Sequence, residues 1–507
     1  MASVKPRIVN TLFGRRTIYT STEEITSDNV VGVVNEALAM HVLNLGEEEY
    51  LYWYRRGLQP ILGRKKQVRP EINNLIVENH ADEIVSFKNG YFLTQPAFYV
   101  SRSKDEAIVE KVKQLNEYLY RSGKHQVDNE VVDWFHTVGK GVLYIAPKDD
   151  EEMPVEVFSL DPRSAFVVYS LRPGNRPVMG VNMVVDNDRV RFDVFTEKQV
   201  FRLDGAVVGR IMTYKPIEAT AISVTRVETN LLGRIPIIEY QYNSANMGAF
   251  EGVCSLLDAI NQTASDRING VEQFIQSLLI FYNCQLGEDE QGNAITPQQI
   301  REFGAIFLKS VGQDKADLKE LSSQLDQTQT QVLVDYMYEQ VLRICGMPST
   351  TKGGRSTSDT GSAVLARDGW YQADTVARNT EDLFRKSNRY FDEIFLDILC
   401  KKVPGFDLKL TDFELQFVRN ETANMQSKAQ AFSTLLSAGM HPVKAFALSG
   451  VSNDPQADFA MSEKYLKMIW GDPDKVVQAD ESGDGQGEAV IIEQDRFTGE
   501  NDTGGAV

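Results

Sequence analysis

A chain of 507 residues with 42% hydrophobic and 24% charged side chains can bury a sizeable core, which excludes an intrinsically disordered protein. Its 53 basic residues face 71 acidic ones, a formal net charge of −18, which excludes a generally basic surface that holds nucleic acid by neutralising phosphates. Ten acids and two bases fall between Asp472 and Val507, so the first 471 residues are only mildly acidic.

Residues 29 to about 145 read as helix-rich, most clearly where Ile108, Val112, Leu115 and Leu119 recur at helical spacing. From Val155 the period becomes that of strands. Val155/Val157, Val178 to Val185, Val190/Phe192/Val194 and Val200 to Leu203 are punctuated by Asp161-Pro162, Arg172-Pro173-Gly174, Asp186-Asn187-Asp188 and Asp204-Gly205, which predicts an antiparallel β meander. Near Gly252 helical spacing returns. Val253, Leu256, Leu257, Ile260, Ala264, Ile268, Val271, Phe274, Ile275 and Leu278 lie on one face of a predicted helix about 40 Å long.

A polar segment with Gly287, Gly292 and Pro297 follows, with a short helix from Pro297 to Phe307. A second helix is expected from about Gln327 to Cys345, with Val332, Tyr336, Leu342 and Ile344 among its apolar positions. From Pro348 to Thr360 there is no large apolar residue, so burial cannot offset the entropy of ordering and an exposed loop is expected. A third long helix is predicted from near Gly361 to about Cys400, then a strand from Phe406 to Phe417 and short helices over Thr422–Ala438 and Pro442–Ser449. The Gly/Asp/Glu-rich tail beyond Trp470 reads as disordered.

The chemistry-bearing strings are few. Asp359-Thr360-Gly361-Ser362 matches the local sequence of an aspartic protease, but that chemistry needs two carboxylates sharing a proton, and one copy supplies them only in a symmetric dimer. The plainer reading is a loop closing onto a capped helix. Lys352-Gly353-Gly354-Arg355 offers two cations on flexible backbone without the order of a nucleotide-binding loop. Asp480, Ser482, Asp484 and Gly485 open like a calcium loop, yet Ile491 stands where the bidentate Glu is required. Cys254, Cys284, Cys345 and Cys400 show no CxxC pair, which argues for free thiols rather than zinc or disulfides. Met1 to Asn10 hold Lys5 and Arg7 without a following apolar stretch, and no apolar run approaches the ~20 residues of a membrane span. These residues lead to the expectation of a soluble, intracellularly made structural or interaction protein, with no catalytic residue, metal or cofactor.

Several strings, taken in order, carry a resemblance. Asn79-His80-Ala81-Asp82-Glu83-Ile84 runs on through Gly90-Tyr91-Phe92-Leu93-Thr94-Gln95-Pro96. Gly233-Arg234-Ile235-Pro236-Ile237-Ile238-Glu239-Tyr240 is followed by Phe250-Glu251 and Leu256-Leu257-Asp258-Ala259-Ile260-Asn261. Asp317-Leu318-Lys319-Glu320-Leu321, the Gly346-Met347-Pro348 break and Gly361-Ser362-Ala363 complete the set. Over roughly residues 30 to 460 the chain resembles the portal proteins of tailed double-stranded DNA bacteriophages, siphophage type. It departs from the family at Thr94, where a glycine is common, and in its acidic tail.

The resemblance implies an α+β fold of portal architecture: a helix/β wing, a two-helix stem, a small α/β clip between the stem helices, a long wing helix and a helical crown. The implied boundaries are an N-terminal arm at 1–28, wing at 29–250, first stem helix at 251–282, clip at 283–325 and second stem helix at 326–346. A tunnel loop at 347–360, long helix and returning strand at 361–418, crown at 419–470 and tail at 471–507 follow. Leu256, Ile260, Ile268, Phe274, Leu278, Val332 and Tyr336 are expected to pack the stem. Lys352, Gly353, Gly354, Arg355 and Ser356 would face DNA, and Glu288, Asp289, Glu290, Lys309 and Lys315 would meet partners at the clip.

The implied assembly is a homo-oligomeric ring, typically of twelve subunits, at one capsid vertex of the virion. Double-stranded DNA passes through it, and its partners are the terminase large subunit, the head-tail adaptor, and the major capsid and scaffolding proteins; no membrane is involved. Another head-to-tail connector ring, and a homodimeric aspartic peptidase using Asp359, are the alternatives.

Overall fold

The computed structural model describes residues 14–66, 70–103, 105–150, 152–186, 189–208, 218–275, 278–282, 284–286, 308–310, 317–321, 327–349, 369–417, 425–452 and 455–470. They fall into two units, divided between Asn424 and Met425.

The first unit opens with β1 (Ile18–Thr20), α1 (Val30–Arg55) and α2 (His80–Phe92). Next come β2 (Phe98–Ser101), α3 (Glu106–Arg121), α4 (Lys124–Val138) and β3 (Lys140–Pro147). The sheet-forming stretch runs β4 (Val155–Leu160), β5 (Ala165–Ser170), β6 (Pro177–Asp186), β7 (Arg189–Phe195), β8 (Gln199–Val208), β9 (Glu218–Thr229) and β10 (Ile237–Gln241). Strands β5 to β9 form an antiparallel meander, and β1 adds parallel to β5, pairing Ile18 with Val168. Alternation explains its face: Val190, Phe192 and Val194 turn inward with Phe201 and Leu203, and α1 covers them with Val30, Val33, Val34, Ala37 and Leu38. The turns at Asp161 and Arg172 fall where their residue types predict, whereas Asp204-Gly205, expected as a turn, lies inside β8, where the pairing with β9 takes up a register shift instead.

A second sheet, β10-β3-β4, packs against α4 and α7 (Trp370–Lys402). Helix α7 is 33 residues, about 50 Å long at ~1.5 Å per residue, and begins after Gly369, whose positive φ of 87° suits glycine. Phe384, Phe391, Ile394, Phe395, Ile398 and Leu399 recur at steps of three and four and meet Leu115, Leu119, Val131 and Phe135 in the largest core. Across that core runs a buried polar network. Lys124 binds Asp128, Tyr99 donates to Asp392, Asn388 donates to the Tyr99 hydroxyl at 2.7 Å, and Tyr240 donates to Asn388 at 3.1 Å. Between β10 and α7 lie α5 (Cys254–Ile275), β11 (Leu278–Tyr282), β12 (Cys284–Leu286), β13 (Leu308–Ser310), β14 (Asp317–Leu321) and α6 (Gln327–Cys345); β15 (Phe413–Gln416) follows α7 and pairs with β2.

The second unit contains α8 (Met425–Ser437), α9 (Pro442–Ser449) and α10 (Pro455–Trp470). Phe432 stacks near Phe446 at 4.3 Å, His441 caps α9 through the Val443 amide at 3.2 Å, and Lys428 reaches the Gly450 carbonyl at 2.9 Å.

Three expectations are corrected. The first long helix ends at Ile275, and Leu278 opens β11 instead: Leu278–Tyr282 is apolar on both faces, has no helical stripe, and finds an antiparallel partner in Asp317–Leu321. The strand expected from Phe406 is confined to Phe413–Gln416, because only that stretch reaches the edge of β2. The segment from 29 to about 145 is helix-rich as expected, and residues 73–79 between α1 and α2 belong to neither helix nor strand. Within the stretch expected to be a helical crown, α10 adds a third helix to the two expected there. The short helix at Pro297–Phe307, the start of the long helix at Gly361, the Asp359 motif and the acidic tail lie outside the described residues.

Candidate functional site

Between β10 and α7 stands a pair of helices whose chain runs out and back. Phe250 and Val253 just before α5, with Leu257 and Ile260 in its first turns, share a core with Val341, Leu342 and Cys345 at the end of α6 and Met347 just after it. Farther along, the Arg267 guanidinium donates to Gln331 Oε1 at 2.6 Å, so low positions on α5 face high positions on α6 and the helices are antiparallel. Beyond the helices the strands continue the same path. Leu278–Tyr282 pairs antiparallel with Asp317–Leu321, and Cys284–Leu286 with Leu308–Ser310.

Along α5 lies the extended segment 74–78, held by a ladder. The Glu78 amide donates to Asn261 Oδ1 at 2.8 Å, the Ile76 amide to Ser265 Oγ at 2.9 Å, and the Asn74 amide to Asn269 Oδ1 at 2.7 Å. Four helical residues rise about 6 Å and two extended residues about 6.6 Å, so the two spacings stay in step over three rungs. The Asn74 side chain adds a bond to Glu272 at 2.6 Å. Asn261, Ser265 and Asn269 are all essentially inaccessible, although their residue types usually mark an exposed face.

The same segment grips α6 at its end. His80 sits between Glu83, at 2.7 Å, and Glu78, at 3.2 Å, with its ring 4.6 Å from that of Tyr338, whose hydroxyl donates to Glu83 at 2.5 Å. Burial opposes protonation of His80, but its bonds to Glu83 and Glu78 outweigh it and raise the imidazole above its ordinary value. The Tyr54 hydroxyl donates to Asp258 at 2.9 Å, and burial raises that carboxyl. At the base of α5, Glu251 accepts from the Arg15 guanidinium at 2.6 Å and from the Gly14 and Gly248 amides at 3.1 and 2.9 Å. Gly14 has a φ of 98°, and a Cβ there would stand 1.8 Å from the Ala245 carbonyl oxygen, so only glycine passes this point.

Of the residues expected to pack the stem, Ile260 is fully buried and Leu256 is half-buried against the shared core. Ile268, Val332 and Tyr336 are exposed within the chain, at 48%, 64% and 59%, and Leu278 belongs to a strand. Phe274 lies on α5, in a part whose side chains are outside the described set. Lys309 lies in β13 opposite Gln285. Glu288, Asp289, Glu290, Lys315, Lys352, Gly353, Gly354, Arg355 and Ser356 lie outside the described residues. Among the described residues no group of three or more His, Cys, Asp or Glu is placed to hold a metal, and no helix is long and apolar enough to cross a membrane. The ladder residues were missed; the available signal was the four-residue repeat Asn261, Ser265, Asn269.

The class of protein this fold defines is a mixed α+β chain with a helical out-and-back excursion between β10 and a long covering helix. The family it belongs to is that of the phage portal proteins: the family model described as phage portal protein, SPP1 Gp6-like, matches residues 43–469. Among solved structures, a chain described under "Neck of empty GTA particle computed with C6 symmetry" is similar at 12% identity and a TM-score of 0.39, covering 73% of this chain and 90% of that one. No curated protein matches.

Proposed function

We propose that the chain forms a ring at one vertex of the phage capsid, through which double-stranded DNA enters during packaging and leaves on ejection. The ring is also the docking platform for the terminase and for the head-tail adaptor. In this reading α5 and α6 are the stem, the excursion at 283–325 is the clip, Lys352 to Ser356 face the channel, and the second unit is the crown. Membership of the portal family supports it. The single observation that carries it is the apolar surface left open on the stem helices. Ile268 and Val271 on α5, and Val332, Leu333, Tyr336 and Ile344 on α6, are all exposed in the isolated chain, apolar surface that neighbouring copies in a ring would cover.

An acidic chain suits a conduit. Tight phosphate binding would stall DNA, whereas a wall with few cations repels the backbone and lets it slide. Lys352 and Arg355, repeated around a ring, then supply weak, rapidly exchanging contacts. Electron microscopy of the purified protein tests the reading: closed rings with a central channel are expected, and a monomer or dimer at every salt and protein concentration would overturn it. Particles carrying Lys352→Ala/Arg355→Ala are expected to package and eject DNA more slowly than wild type. Unchanged rates would remove these two cations from the mechanism.

A further inference from the structure

A cavity of about 270 Å³, its open mouth included, lies where α2, α4 and the first part of α7 meet the turn at Gly346 that ends α6. Lys88, Tyr91, His136, Tyr242 and Val376 are among the residues that line it. Lys88 is only 7% exposed, and its ammonium stands over the face of the Tyr242 ring, 5.9 Å from its centre. Among the described residues, no hydrogen bond or ion pair reaches that ammonium.

Two acids on the flanking helices α4 and α7 have partners of their own. Asp133 accepts from Asn89 at 2.6 Å and from Arg55 at 2.7 Å, and Glu381 pairs with Arg385 at 3.6 Å. His136 does not add a second cation: burial holds it well below its ordinary value, and its Nδ1–H donates to Asn89 Oδ1 at 2.7 Å. The Cys345 thiol is held up by burial, to about 11, and stays neutral. A charged group taken out of water without a partner is strongly disfavoured. Burial pulls Lys88 below its ordinary value, and an anion in the cavity would supply the counter-charge its ammonium lacks.

We propose that this cavity is a binding site for one small monovalent anion, held by the Lys88 ammonium. The space clear of side chains admits roughly one water-sized occupant, which suits a halide and excludes a phosphate ester or a nucleotide. The bound anion ties α2, α4 and α7 to Gly346 and so braces the place where the second stem helix hands the chain on. A Cβ at Gly346 would already stand 2.9 Å from Val376 Cγ2, so the packing there leaves little other room for adjustment.

The test is bromide titration of the full-length protein at pH 7 and constant ionic strength, with the bulky anion gluconate as replacement. Bromide at ten times its half-saturating concentration is expected to raise the folding equilibrium constant about elevenfold. The protein should also broaden the bromide nuclear resonance. Lys88→Met, and separately Val376→Phe, which fills the cavity while leaving the lysine, should abolish both effects. If Lys88→Met does not fold, Val376→Phe decides. No bromide effect on the wild type, or an equal effect in a folded variant, would overturn the site. The measurements need no ring, so their outcome is independent of the portal reading.

Discussion

His80 and Asp392 show how single side chains couple folding to pH. The folded imidazole of His80 is raised above its unfolded value, so its contribution is complete below pH ~6.5 and is lost as pH rises through the folded value. The wild type is expected to lose more stability than His80→Phe between pH 5.5 and 8.5 in denaturant titrations. Burial pushes Asp392 up to about 7, so its protonated form suits the fold, and stability declines as pH climbs from the unfolded carboxyl range toward 7. Asp392→Asn should flatten that decline while keeping an acceptor for the Tyr99 hydroxyl. An unflattened profile would place the dependence on Lys124–Asp128 instead, the other buried pair in the network.

Strap and helix depend on each other. A variant lacking one rung leaves a buried backbone amide without its acceptor, which costs about 1–3 kcal/mol. Ser265→Ala removes the acceptor of the Ile76 amide, and Asn269→Leu that of the Asn74 amide. Hydrogen exchange at the Ile76 amide should quicken in Ser265→Ala, and the double variant should depart from additivity because the rungs share one strap. Intact protection at the Ile76 amide would show that the strap is held by the apolar burial of Ile72 instead.

For the molecule as a whole, the exposed side of the stem separates folding from assembly. Tyr336 is 59% exposed, so Tyr336→Asp should change the stability of the isolated chain by less than about 0.5 kcal/mol. In a ring the same carboxylate would be buried at every repeat. Size-exclusion chromatography with light scattering should find the variant folded and unassembled; rings at wild-type yield would move the subunit interface to another face.

What the sequence determined by itself was whatever has a local period. The stripe Val112, Leu115, Leu119 is buried as helical spacing requires, the alternation at Val190, Phe192 and Val194 turns inward, and α6 and α9 begin and end where their patterns and turn residues say. The order of these elements sufficed for the family resemblance. Tertiary structure decided the rest. Leu278–Tyr282 is apolar throughout, so its neighbours alone cannot tell helix from strand, and its partner lies some forty residues ahead. Asn261, Ser265 and Asn269 read as a solvated face because the strap that covers them is contributed from more than 180 residues upstream. Lys88 reads as an ordinary surface lysine until α4, α7 and the Gly346 turn close around it. Periodicity records which way a side chain faces; only the packed chain determines what it meets there.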